Sequence, residues 1–143
     1  MASLILSVNA GSSSLKISVF RLASPLGPAD RHDVDSTADS RVVLIASCSV
    51  TSIFSHPKFS FTDHSSPCRP EGGDALGIRD HATAFSHFLG HLKDGANIDV
   101  TDILFVCHRV VHGGDFHDPV VINKATYQHI EHLSDLAPLY APL

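Results

Sequence analysis

Two short stretches combine residue types in an order suited to holding anions. The first is Val8-Asn9-Ala10-Gly11-Ser12-Ser13-Ser14-Leu15-Lys16. A glycine in a tight turn between strands lets the backbone come close to a bulky anion, because no Cβ intervenes. The amides and hydroxyls of Ser12 and Ser13 can donate to phosphate oxygens, as anion-binding nests do. Lys16 adds a compact positive charge just past the turn. Asn9 offers a neutral carbonyl at the end of a strand, able to hold a magnesium ion directly or through its water shell. The glycine spacing fits neither a Walker A loop nor a dinucleotide fingerprint, and no helix follows. Glycine and serine by themselves favour a plain serine-rich β-turn with Lys16 in solvent.

The second stretch is Cys107-His108-Arg109-Val110-Val111-His112-Gly113-Gly114-Asp115, which follows an apolar run at 103–107. Ligands of α/β sheets bind outside the carboxyl ends of strands, where this stretch falls. An arginine there can grip a carboxylate or phosphate through two parallel hydrogen bonds, and Gly113-Gly114 permits a sharp bend. On spacing alone, Arg109 is as well read as the partner of a core aspartate, with His108 and His112 filling space.

Other candidate chemistry is thinner. His87 and His91 lie four apart on a predicted helix, and His129 and His132 three apart on another. Neither pair has the HExxH glutamate or a nearby carboxylate as third ligand, so packing or solvated histidines are the better reading. Cys48, Cys68 and Cys107 are odd in number, widely spaced and without a CxxC pair. This argues against a disulfide framework or structural zinc and for a reducing, cytoplasmic setting.

The 143 residues suffice for one compact domain with a core. The net charge of -5 is spread along the chain, and no basic block is present to hold a nucleic acid or an anionic membrane. The apolar run Met1 to Val8 has no basic flank and stops too soon for a signal peptide or a membrane span.

The elements that must position these residues follow from periodicity. Residues 3–9 read as a buried strand, and Leu15, Ile17 and Val19 alternate with polar residues as a second, so that 10–14 is the turn of a β-hairpin. Residues 23–41 and 64–77 read as loops, with strands at 42–50 and 58–62. A helix follows Asp80 as N-cap, with Ala82, Phe85, Leu89 and Leu92 inward, helped by Phe88, and Gly95 as its stop. The run Ile103 to Cys107 has the pattern of a strand covered on both sides. Asn123 caps a last helix with Tyr127, Ile130 and Leu133 inward, closed by Pro138. The order predicts an α/β domain with a mixed sheet and flanking helices.

As ordered strings the two stretches say more. VNAGSSSLK at 8–16 resembles the amino-terminal signature of the acetate and butyrate kinase family, and HRVVHGG at 108–114 resembles its second signature. The segment Leu136-Ala137-Pro138-Leu139-Tyr140-Ala141-Pro142 is similar to the family's LAPLHNP stretch, departing from it at Tyr140 and Ala141. The polar segment 23–41 is longer than a bacterial relative would carry. The resemblance implies a ribonuclease H-like fold of the actin, Hsp70 and sugar-kinase superfamily. Residues 1–143 would be an amino-terminal domain, incomplete, with the second domain absent. It implies reversible transfer of the ATP γ-phosphoryl to acetate, giving acetyl phosphate and ADP. Lys16, Ser12 and Ser13 would then hold the ATP phosphates, Asn9 would help bind Mg2+, and Arg109 would hold the acyl carboxylate or acyl phosphate. The family's catalytic aspartate, its charge-stabilising histidine and arginine and its adenosine loops lie further along, so no catalytic residue is carried over and the chain alone is expected not to turn over. The family's homodimer is formed chiefly by the carboxyl-terminal domain. A butyrate-type acid kinase fragment and a non-catalytic nucleotide-binding or phosphate-binding module are the alternatives.

Overall fold

A computed structural model of the chain describes residues 4–22, 42–64, 70–110 and 113–136, with backbone only at 133–136. The expected hairpin is there. Strand β1 (Leu4–Ala10) pairs antiparallel with β2 (Leu15–Leu22). Strict alternation turns Leu4, Leu6 and Val8 of β1, and Leu15, Ile17 and Val19 of β2, into the core. β3 (Val42–Thr51) and β4 (Lys58–Asp63) continue the antiparallel run, adding Ala46, Cys48, Val50, Phe59 and Phe61 to the same face.

Two sheet edges differ from expectation. Residues 71–74 fall in the segment read as loop, yet Glu71–Asp74 forms a short exposed strand β5 on β4. Glu-Gly-Gly-Asp has no strand pattern; backbone pairing makes it. A Cβ on Gly72 would stand 2.8 Å from the Phe59 carbonyl oxygen, so the approach needs glycine. At the other edge, Ile103–His108 (β6) runs parallel to β1, giving the order β5-β4-β3-β2-β1-β6. β6 is not covered on both sides: Leu104, Phe105 and Val106 are each more than half exposed. The apolar run forms the expected strand but lacks the expected cover on both faces.

Helix α1 (His81–Ala96) covers the apolar face of β2, β3 and β4. Asp80 caps it as expected: its carboxylate accepts from the Thr83 amide at 2.7 Å, and the Asp80 amide donates to the Thr83 hydroxyl at 3.0 Å. The buried stripe is His81, Ala84, Phe88 and Leu92, with Phe85 and Leu89 only partly buried and Ala82 exposed. Phe88, expected only to help this face, is its centre and fully enclosed. The helix runs past Gly95 and ends at Asn97, whose left-handed backbone (φ 52°) sends its amide to the Leu92 carbonyl. A single 3-10 turn at Val100–Asp102 leads into β6.

The chain divides into two compact units, Met1–His108 and Arg109–Leu143. In the second, Gly113 to Phe116 forms a turn closed by the Phe116 amide on the Gly113 carbonyl at 3.1 Å, with Gly114 left-handed (φ 61°). Helix α2 (Lys124–Leu136) starts at Asn123 as expected, whose side-chain carbonyl accepts from the amides of Ala125 and Thr126. Tyr127, expected inward, is about half exposed, because in this unit α2 meets little apolar surface. The readings placed on 23–41, Cys68, His112, the side chain of Leu133, Pro138 and Tyr140-Ala141 lie outside what is described.

Candidate functional site: the serine turn of the first hairpin

The turn is built from the strand register upward. Ala10 pairs with Leu15, so Gly11 to Ser14 is the connection, closed by the Gly11 amide donating to the Ser14 carbonyl at 2.8 Å. A Cβ on Gly11 would stand 2.7 Å from Ser14 Oγ, so glycine suits this corner for the turn's own packing as well as for a ligand's approach. Gly11, Ser12 and Ser13 are exposed. Among the described residues, the Ser12 and Ser13 amides make no internal hydrogen bond, while the Ser13 carbonyl accepts from the Ile53 amide at 3.0 Å. An exposed turn with free amides, its carbonyls held by donors of the protein, is the kind of arrangement that anion-binding nests use.

Asn9 and Lys16 are direct cross-strand partners, so their side chains leave the same face of the sheet, opposite to Val8, Leu15 and Ile17. Asn9 is half-buried and Lys16 exposed. The other register partner of Lys16 is Ser49. Neutral neighbours on both sides leave the ammonium without a cross-strand carboxylate. Next to the turn this face is polar: Ser7, Ser18, Ser47 and Thr62 form the following row, with Ser47 Oγ meeting His64 Nε2 at 2.8 Å, and only beyond it do Ile5 and Phe20 pair.

The hairpin therefore brings together Asn9, Ser12, Ser13 and Lys16. Arg109 is exposed and opens the second unit, directly after His108 ends β6. Because β6 is parallel to β1, the carboxyl ends of both strands lie at the same end of the sheet as the serine turn.

Histidines settle into packing. His87 meets Phe59 edge to face and His91 packs on it at a tilt, with centroids 4.5 Å away in each case, and His91 Nδ1 lies 3.4 Å from a Glu71 carboxylate oxygen. They line a cavity of about 470 Å3 that includes no residue of the hairpin. Partial burial and, second, the His91 charge hold His87 below the ordinary histidine range. His129 lies against Phe116, with Nε2 4.0 Å from Asp115. Among the described residues no group of three or more His, Cys, Asp or Glu side chains is placed to hold a metal ion. Sequence reasoning missed His81. Buried at the first position of α1, its Nε2 lies 2.7 Å from the Gly11 carbonyl oxygen. A histidine just inside an N-cap is its only signal, and nothing local ties it to a turn seventy positions earlier.

Comparison with known proteins decides the family. The model of the Acetokinase family matches residues 4–143. The chain belongs to the acetokinase family. It is 39% identical to the "Probable acetate kinase" of Emericella nidulans over 95% of this chain and 29% of that protein. Against the "Acetate kinase" of Bacillus subtilis it is 32% identical over 96% of this chain and 30% of that protein. Its fold matches the crystal structure of Porphyromonas gingivalis acetate kinase with a TM-score of 0.72 at 25% identity, covering 99% of this chain and 32% of that one. A propionate kinase from Francisella tularensis matches with a TM-score of 0.67 at 24% identity, over 96% of this chain and 30% of that one. The mixed sheet with its two helices is thus the fold of these acyl kinases. This acetokinase-family chain spans less than a third of the length of the curated relatives it matches.

Proposed function

We propose that this chain carries the phosphate-holding part of an acetate kinase, with the serine turn as the cradle for the ATP phosphates. The observation that carries the reading is the exposed turn whose Ser12 and Ser13 amides are free of internal hydrogen bonds, beside Lys16 and Asn9 on one sheet face. Phosphoryl transfer asks a protein chiefly to align donor and acceptor and to offset the charge on the moving group. Here the amides and hydroxyls of Ser12 and Ser13 donate to phosphate oxygens, and Lys16 supplies the point charge. Arg109 takes the acetate carboxylate or the acetyl phosphate, by family resemblance and by its position after a strand's carboxyl end.

A magnesium ion fits this donor set in one way. Asn9 is half-buried and neutral, and its cross-strand partner is Lys16 rather than a carboxylate, so it suits a metal whose charge is met by phosphates and whose shell keeps several waters. The ion, when bound, supplies further neutralisation of the phosphate oxygens. The cytosol is the compartment that fits the free thiols of Cys48 and Cys107. No described helix is long and apolar enough to cross a membrane.

Calorimetric titration of the 143-residue chain with Mg-ATP tests the proposal. Saturable binding that Lys16→Ala weakens supports it, and absence of any nucleotide or triphosphate binding removes it. A hydroxamate assay for acetyl phosphate on the same sample is expected to show no sustained turnover. Turnover would place catalytic groups within these residues.

A further inference from the structure

His81 is the only buried polar side chain among the described residues, and it reaches from α1 to the serine turn. Its Nε2 stands 2.7 Å from the Gly11 carbonyl oxygen. A carbonyl has no proton to give, so the proton of this hydrogen bond sits on Nε2. The ring is fixed further by Phe54, whose edge meets it at 5.7 Å between centroids. Its backbone is fixed by the Asp80–Thr83 capping box one residue before.

The consequence for the turn follows from its other hydrogen bonds. The Ser14 carbonyl accepts from the Gly11 amide, and the Ser13 carbonyl accepts from the Ile53 amide. With His81 on Gly11, three carbonyls of the turn are held by donors of the protein. A carbonyl oxygen swung outward would present negative charge to an anion, whereas a peptide plane pinned by its carbonyl keeps the following amide facing out. Gly11 is the carbonyl that precedes the Ser12 amide, so the plane His81 pins is the one whose N–H belongs to Ser12.

Resting on the phosphate-cradle reading above, we propose that His81 is a positioning residue for that cradle, its Nε2–H fixing the Gly11–Ser12 peptide so that the Ser12 amide faces the phosphates. It touches no ligand. The brace couples the start of α1 to the turn, and it survives protonation of the ring, because both the neutral Nε2–H form and the imidazolium donate from Nε2.

The test uses the 143-residue chain with His81→Phe, which keeps a buried ring without the donor, and His81→Gln, whose amide nitrogen stands as many bonds from Cβ as Nε2 does. Nitrogen-15 imidazole spectra of the wild type are expected to show Nε2 protonated; a ring protonated on Nδ1 alone overturns the proposal without need of any variant. The nitrogen-15 order parameter of the Ser12 amide should fall in His81→Phe and stay near wild type in His81→Gln. Titration with Mg-ATP and with inorganic tripolyphosphate should weaken about tenfold in His81→Phe and recover in His81→Gln. A folded His81→Phe chain with unchanged Ser12 order and unchanged affinity overturns the brace. A wild-type chain that binds neither ligand overturns the cradle instead, and Ser12 order then still decides for or against the brace.

Discussion

Lys16 and Asn9 face each other across β1 and β2, and neither contributes to the core. Lys16→Ala is therefore expected to leave the melting temperature nearly unchanged, since exposed substitutions stay within about 0.5 kcal/mol. Mg-ATP affinity should drop roughly tenfold or more, because a charge-assisted contact to phosphate is lost. Paired melting and titration experiments separate the two effects. Asn9→Asp is the sharper probe. It would set a carboxylate directly opposite Lys16, and such cross-strand ion pairs contribute about 0.2–1 kcal/mol. The new partner competes with phosphate for the ammonium, so tripolyphosphate without metal should bind less tightly, and the loss should shrink as salt screens the pair. Equal affinity of both chains at low salt would show that Lys16 does not contact the anion. Both residues were legible in the sequence because the chemistry of a turn is local: strand, glycine, serines, lysine. His81 was not, because its partner lies in another element and only the folded sheet brings them together.

At the scale of elements, periodicity found the strands and capping chemistry found the helix starts, while neighbours decided the rest. β5 has no strand pattern and exists because β4 offers a free edge. The inward face of α1 was displaced because Ala82, Phe85, Leu89 and Leu92 also lie at helical spacing. The choice between stripes was made by Phe88 and His81 fitting the sheet. Phe88→Ala should accordingly cost about 3–5 kcal/mol by chemical denaturation, a large share of the roughly 5–15 kcal/mol that holds a domain together. The same helix carries an acid sensitivity. His87 is held below its ordinary range, so as pH falls through about 6.5 the unfolded chain takes up a proton that the folded one resists. Its share of stability is complete above that pH and declines as pH falls further, so His87→Gln should flatten the melting temperature there relative to wild type. Asp80 acts lower down. The Thr83 amide and hydroxyl hold its carboxyl below the usual carboxylate range, so its contribution is present above about pH 4 and lost as pH falls further. Asp80→Asn keeps a cap acceptor and should diverge from wild type only on that acid side. Melting curves from pH 3 to pH 8 distinguish the two windows.

For the whole molecule the least expected feature is β6. Its run of apolar residues resembles a central strand because such strands are buried on both faces, yet the strand order leaves it at the edge with Leu104, Phe105 and Val106 exposed. Sequence alone cannot tell these cases apart, since burial of a strand is a property of its neighbours in space. The physical cost is specific. An edge strand presents unpaired backbone donors and acceptors, and natural sheets shield such edges with charge, proline or bulges. β6 has none of these along Leu104-Phe105-Val106, and the one register irregularity with β1 lies at its start, between Leu4 and Ile5. The 143-residue chain should therefore associate as its concentration rises, through this edge, with a sedimentation coefficient that grows with loading. Val106→Lys places a charge on the edge without entering the core, because Val106 is 63% exposed. It should reduce association while leaving the unfolding free energy within about 0.5 kcal/mol of wild type. A wild-type chain that sediments as one species at every concentration, or a lysine variant that associates as readily, would mean the β6 edge is not the surface through which this chain meets itself.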